Sequence, residues 1–235
     1  MRVAIHQPNF FPWLGFFEKA LTSDLFILLD DVQYEKSGKG NWFNRVYVSA
    51  NGEKKWMSLP VNRKFAGFRN MNEIELAANM NHASDVLNRL GAFYRTSSYK
   101  TEVLDYIEGF FKLNHGLLWE MNYAYILDVL KRCGVPEERI LLSSSYNSKE
   151  VATARLIDLV LRVGGGEYYS GGGAGGYMQA EEFESSGLSL SVQDFKHPEY
   201  EQKSSQEFIS GLSSLDLFFN LGLDEGIKFM QEKLV

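Results

Sequence analysis

Cysteine is nearly absent from this chain. Cys133 is the single thiol in 235 residues, so no internal disulfide can form. It stands just before Gly134 and Pro136 at an expected helix end, which suits an inert packed thiol better than a nucleophile. Long apolar runs are missing too. No stretch approaches the roughly 18 residues of a membrane span, and the N-terminal segment turns polar at His6 before a secretory core can build. The expectation is a cytoplasmic protein without a membrane span. Positive charge is in deficit: 24 basic residues against 30 acidic ones leave a net charge of -6. That balance argues against a nucleic-acid partner and leaves a nucleotide open. The histidines His6, His82, His115 and His197 lack ligand spacing, so no metal is expected. There is no Gly-x-Ser-x-Gly elbow, no credible Cys/His pair, and no internal repeat, coiled coil or linker.

What is present is concentrated in the first thirty-one residues. Arg2 to Ile5 alternates as a short strand, and a turn follows from His6 through Gln7, Pro8 and Pro12 to Gly15. Phe16 to Leu21 then reads as helix, and Leu25 to Leu29 is a continuous apolar run ending in Asp30 and Asp31. A continuously apolar strand is covered on both faces, as in a parallel sheet flanked by helices. Such a unit brings His6, Gln7, Asp30 and Asp31 to the carboxyl edge of the sheet, where open α/β folds bind ligands.

Further along, Phe43 to Val48 and Lys54 to Leu59 flank Asn51-Gly52, the signature of a tight hairpin. Residues 62–72 read as a polar loop that can act as a lid. Across 79–133 the apolar stripe Val103, Tyr106, Ile107, Phe110 and then Leu118, Met121, Tyr125, Val129 predicts a helical insertion. Asn147 and Glu150 have the spacing of a capping box for the next helix, which ends at Gly164–Gly166. Glu167–Ser170 and Leu188–Phe195 read as strands, and two short helices close the chain. The fold class expected is therefore α/β: a mainly parallel sheet flanked by helices, with a hairpin extension and a helical insertion, in one domain spanning 1–235.

The candidate catalytic residues are His6, Asp30 and Asp31. His6 is the base or phosphate partner, and the aspartates orient a hydroxyl or ammonium; adjacent strand residues face opposite ways, so at most one of them is expected in a given pocket. The candidate binding residues are Gln7, Asn41, Asn44, Arg45, Ser170, Gly171, His197, Tyr200 and Gln202. Arg45 supplies a fork for phosphate or carboxylate. The glycine-rich stretch 171–176, interrupted by Ala174, offers backbone N–H groups to an anion, but without the Lys-Ser/Thr of a P-loop or the spacing of a dinucleotide fingerprint. Each has a bland alternative: a histidine locking a turn, a solvated aspartate pair, a surface arginine, a flexible turn, a proline-shaped loop. Ser213, Ser214 and Asp216 suit a helix N-terminus, with Asn220 as a C-terminal cap.

Several blocks together carry a family likeness: the opening turn, Asn41-Trp42-Phe43-Asn44-Arg45, Trp56-Met57-Ser58-Leu59-Pro60-Val61, Tyr169-Ser170-Gly171, His197-Pro198-Glu199-Tyr200-Glu201-Gln202, and Leu212 to Asn220. In that order they resemble the bacterial WbqC-like proteins across nearly the whole chain. The resemblance implies a role in O-antigen or other surface-polysaccharide biosynthesis, with group transfer, notably of glycine, to a nucleotide-linked amino sugar. The implied partners are a sugar nucleotide and an amino acid, with ATP or a nucleotide sugar as the ligand to test. The strand, His-turn, Gly, helix, strand layout also resembles the HUP nucleotidyltransferases. Here, however, the turn has one His, Pro8 replaces the glycine two positions on, and no Lys-Met-Ser-Lys-Ser loop follows. Nucleotidyl or adenylyl transfer is thus the alternative chemistry, and a non-catalytic sugar-nucleotide or partner-binding protein the alternative class.

Overall fold

The computed structural model describes residues 1–34, 41–65, 67–78, 81–113, 116–172, 180–203 and 205–235. Its centre is a five-stranded parallel sheet. β1 (Arg2–His6) lies between β2 (Leu25–Leu28) and β6 (Glu167–Ser170); β5 (Ile140–Leu142) is outside β2, and β7 (Ser189–Val192) is outside β6. β3 (Arg45–Ala50) and β4 (Glu53–Ser58) form a separate antiparallel ribbon. Asn51 and Gly52 between them have φ of 55° and 77°, the pair of positive angles a two-residue hairpin turn needs.

Apolar residues of β1 and β2 point alternately to two cores, as a sheet covered on both faces requires. Ala4, Phe26 and Leu28 join the larger core with α1 (Leu14–Leu21), while Val3, Ile5 and Ile27 join a smaller one with α5 (Ala152–Arg162) and α6 (Ala180–Ser185). The insertion supplies α2 (His82–Phe93), α3 (Lys100–Lys112) and α4 (Leu118–Arg132). Their buried stripe, including Val86, Leu90, Val103, Ile107, Met121 and Tyr125, belongs to the larger core, as do α7 (Ser214–Leu221) and α8 (Leu223–Lys233).

Two local expectations are corrected. Asn147 does not cap α5. It sits in the left-handed region at φ 48° after a 3-10 turn over Ser143–Tyr146, and Val151 precedes the helix without a side-chain cap. The asparagine's tolerance of positive φ outweighed its capping capacity. Asn220 lies within α7, where its amide donates to Asp216 O at 2.7 Å, so it is not a terminal cap.

Sheet order sets the site. The chain leaves β1 to β2 on one side, and returns through β6 on the other, so the crossover direction reverses between β1 and β6. Open parallel sheets bind ligands at the carboxyl ends of strands flanking such a reversal.

Candidate functional site

His6 ends β1 at that edge and lines two adjoining cavities, which also share Trp13. The first, of about 470 Å³, is walled by Trp13, Trp42 and Tyr47, with Asn9, Lys54 and Gly211 completing it. The second, of about 390 Å³, is bounded by Gly15, Gly171, Gly172, Gln193 and Asp194. A larger depression of about 630 Å³ lies along α5 and α6, away from the sheet edge; its lining includes Glu150, Asp158, Glu181 and Glu182 and no basic residue.

The turn after β1 is held from three directions. Phe10 N donates to Trp42 O at 3.0 Å, and Asn122 Nδ2 of α4 donates both to Pro8 O at 2.8 Å and to Phe43 O at 2.7 Å. Phe11 sits at φ 40°, an uncommon angle for an aromatic residue, and Ser213 Oγ donates to its carbonyl at 2.7 Å. Strain of this kind persists where surrounding bonds over-determine the backbone, here beside the cavity. The aromatic wall is itself layered. Tyr47 stacks on Trp56 at 3.7 Å, Arg45 lies 4.3 Å over Trp56, and Lys54 lies 5.3 Å from the Tyr47 ring centre. Packed rings with a cation nearby give a flat, stiff face suited to a sugar or base.

His6 Nδ1 lies 2.9 Å from Gln7 O. A carbonyl can only accept, so the proton is on Nδ1, and Nε2 is left as the ring's acceptor. The ring packs edge-on against Phe16 at 4.8 Å. Burial, and secondarily the charge of Lys19, pushes His6 down to about 3, so it is a neutral imidazole across the physiological range. Lys19 projects from α1 into the sheet edge, 2 % exposed, and donates to Ile5 O at 2.7 Å. Burial pulls its ammonium down to about 7.

The other residues expected from the sequence are distributed more widely. Ser170 ends β6 with its buried Oγ unpartnered among the described residues, and Gly171 lines the second cavity. Gln7 gives its carbonyl to His6. Asp30 and Asp31 do reach the carboxyl edge, but on the β5 side. Asp30, 2 % exposed, accepts from Ser143 Oγ at 3.1 Å and Ser144 N at 3.0 Å; Asp31 accepts from Ser143 and from Arg155 at 2.6 Å. The Arg155 and Ser143 bonds overcome burial and hold Asp31 below the usual carboxylate range. Neither aspartate is among the residues lining the two His6 cavities.

Asn41 Oδ1 accepts from Phe43 N at 3.0 Å, and Asn44 Nδ2 donates to Leu59 O at 2.9 Å. Arg45 Nε donates to Asn41 O at 2.8 Å. These bonds shape the segment that carries Trp42. His197 packs 5.6 Å from Phe195, a wall of the second cavity, with Nδ1 on Pro198 O at 3.1 Å and Nε2 buried without a partner among the described residues. Tyr200 and Gln202 instead turn to Asp216, at 2.8 and 2.9 Å. Gly173, Ala174, Gly175, Gly176 and His115 lie outside the described residues. Among the described residues, no group of three His, Cys, Asp or Glu side chains is placed to hold a metal, and no helix is long and apolar enough to cross a membrane.

Lys19, Lys54, Asn9 and Gln193 were not singled out in the sequence. Lys19 had a signal: a lysine beside Phe16, Phe17 and Ala20, on the face its helix buries. Gln193 reveals itself only in three dimensions, where Nε2 donates to Gly15 O at 2.7 Å and also to Glu18, joining β7 to α1.

Comparison with known proteins covers nearly the whole chain. An uncharacterised protein of Mycobacterium tuberculosis, Rv1507c, is 27% identical over 226 residues, covering 95% of each chain. No solved structure matches. The family model described as the WbqC-like protein family matches residues 7–227, and the chain belongs to that family.

Proposed function

We propose that this protein is a group-transfer enzyme of bacterial surface-polysaccharide biosynthesis that acylates the amino group of a nucleotide-linked amino sugar, with an activated glycyl or related aminoacyl group as donor. The observation that carries the reading is the position of His6, where an aromatic cavity and a glycine-lined cavity meet. The aromatic lobe suits the sugar or base, and the glycine-lined lobe suits a charged group. In the transfer, the sugar nitrogen forms the amide bond to the acyl carbon, and the donor's leaving group departs with its electron pair. The amine's proton passes to His6 Nε2. An anion bound nearby raises the imidazole from its low resting value toward one useful for accepting a proton. Family membership supports the polysaccharide setting.

The test is a thermal-shift and calorimetric screen of sugar nucleotides, amino acids and ATP, followed by mass spectrometry of the sugar nucleotide after incubation with an activated glycyl donor. A sugar nucleotide gaining one glycyl residue in a His6-dependent manner is expected. Release of pyrophosphate from ATP with transfer of the adenylyl group would replace this reading by nucleotidyl transfer. Tight binding with no product from any donor would replace it by a binding role.

A further inference from the structure

β1 and β6 are registered as neighbours only through Arg2–Glu167, Val3–Tyr168 and Ala4–Tyr169. Beyond that pair, Ile5 and His6 continue to pair with β2, and Ser170 continues to pair with β7. The sheet therefore splits at its reversal point. Ile5 O, which faces the β6 side but has no registered partner there, accepts from Lys19 Nζ. A methyl placed on Gly171 would lie 3.9 Å from both Lys19 Nζ and Gln193 Oε1, so the amine stands just behind the glycine that lines the cavity. A buried ammonium whose described hydrogen bond is to one carbonyl is incompletely solvated.

We propose that the split between β1 and β6 is an oxyanion subsite, in which Lys19 is the cation and the Gly171–Gly172 backbone supplies the flanking donors. It deepens the reading given above, since it places the charged end of the ligand whose flat part lies on Trp42 and Tyr47. The oxyanion is a phosphate of the sugar nucleotide or the carboxylate of an amino acid, and both are recognised by the same donors. An arriving anion also restores the ammonium that burial disfavours.

The experiment is calorimetric titration of the intact protein with inorganic pyrophosphate, inorganic phosphate, acetate and glycine, on wild type, Lys19→Met and Gly171→Val. Wild type is expected to bind at least one of these oxyanions; pyrophosphate alone identifies the phosphate source, and acetate or glycine the carboxylate source. Lys19→Met, which keeps the side-chain volume, is expected to weaken that binding at least tenfold with an unchanged circular dichroism spectrum. Gly171→Val is expected to block the crevice mouth with Lys19 intact, and it carries the test if Lys19→Met does not fold. Absence of binding to wild type, or unaltered binding in either folded variant, overturns the subsite. A Trp42→Ala arm separates the two claims. Sugar-nucleotide binding lost in Trp42→Ala but kept in Lys19→Met removes the subsite and leaves the function. Lys19-dependent pyrophosphate binding without any sugar-nucleotide binding does the reverse.

Discussion

The indole of Trp13 lies over the α-carbon of Gly15, so that a methyl at Gly15 would sit 2.5 Å from Trp13 Cη2 and 2.7 Å from Cζ3. Trp13 walls both cavities at His6, and the bare glycine is what lets it lie there. Elsewhere in a helix, Gly→Ala stabilises by roughly 1 kcal/mol. Here the overlap with a rigid ring reverses the sign: Gly15→Ala is expected to cost about 1–3 kcal/mol. Urea unfolding measures the loss, and a shifted tryptophan emission with weakened sugar-nucleotide binding reports the displaced indole. A variant as stable as wild type would show that Trp13 moves freely and does not form the wall.

Lys19 makes a prediction about stability that runs opposite to its effect on binding. With its ammonium near 7 in the folded chain and 10.5 as the ordinary value, the folded state disfavours the charged form. The penalty is fully present below pH 7 and fades as pH rises toward 10.5. Lys19→Met removes it and loses one bond to Ile5 O, so the variant is expected to be more stable at pH 7 by about 2–4 kcal/mol. The gain should shrink by pH 9. Denaturation midpoints at the two pH values measure it, and a variant destabilised at both would place a persistent buried charge partner at Lys19.

His6 titrates in the same sense over a more acid range. Its folded value near 3 against the ordinary 6.5 means that stability attributable to the neutral ring is intact above pH 6.5 and is lost as pH falls toward 3. His6→Asn is expected to flatten the acid limb of the stability profile, with a difference from wild type reaching up to about 3 kcal/mol at pH 4. The comparison is made between the two profiles because burial also holds His197 below the ordinary imidazole value. Parallel profiles would mean that the folded chain accommodates a charged His6.

The sheet was legible in the sequence because continuous apolar runs and a short crossover leave few topologies. Leu25 to Leu29 reads as a doubly covered strand, and β2 is parallel to β1 with His6 opposite Leu28. The hairpin at Asn51-Gly52 was legible because its turn needs two positive φ angles. The cavity walls were not, because they are assembled from residues that share no period: Trp13 from the turn, Trp42 from a loop, Tyr47 and Lys54 from the ribbon, Gln193 from the end of β7. Asp30 and Asp31 illustrate the limit from the other side. Their strand end was placed correctly, but only the chain after β5 reveals that Ser143, Ser144 and Arg155 occupy their oxygens.

Asp216 gives the last prediction, which concerns the loop carrying His197, Tyr200 and Gln202. Its buried carboxylate accepts from Tyr94 Oη at 2.8 Å, Tyr200 Oη at 2.8 Å and Gln202 Nε2 at 2.9 Å, while Tyr94 Oη also accepts from Ser49 N at 3.0 Å. One side chain thereby ties α2, β3, α7 and the loop together. Burial pushes Asp216 above the usual carboxylate range, and the three donors oppose that shift. Tyr200→Phe removes one of those donors without removing the ring that packs on Phe208 and Phe229. A hydrogen bond to a charged group contributes about 1.5–3 kcal/mol, so a loss of that size is expected in urea unfolding. Ligand affinity at His6 is expected to stay within about twofold of wild type, because Tyr200 touches neither cavity wall at the distances described. The contrasting outcome, unchanged stability with a large fall in sugar-nucleotide affinity, would make Tyr200 a ligand-contacting residue and bring its loop over the His6 cavity when ligand is bound.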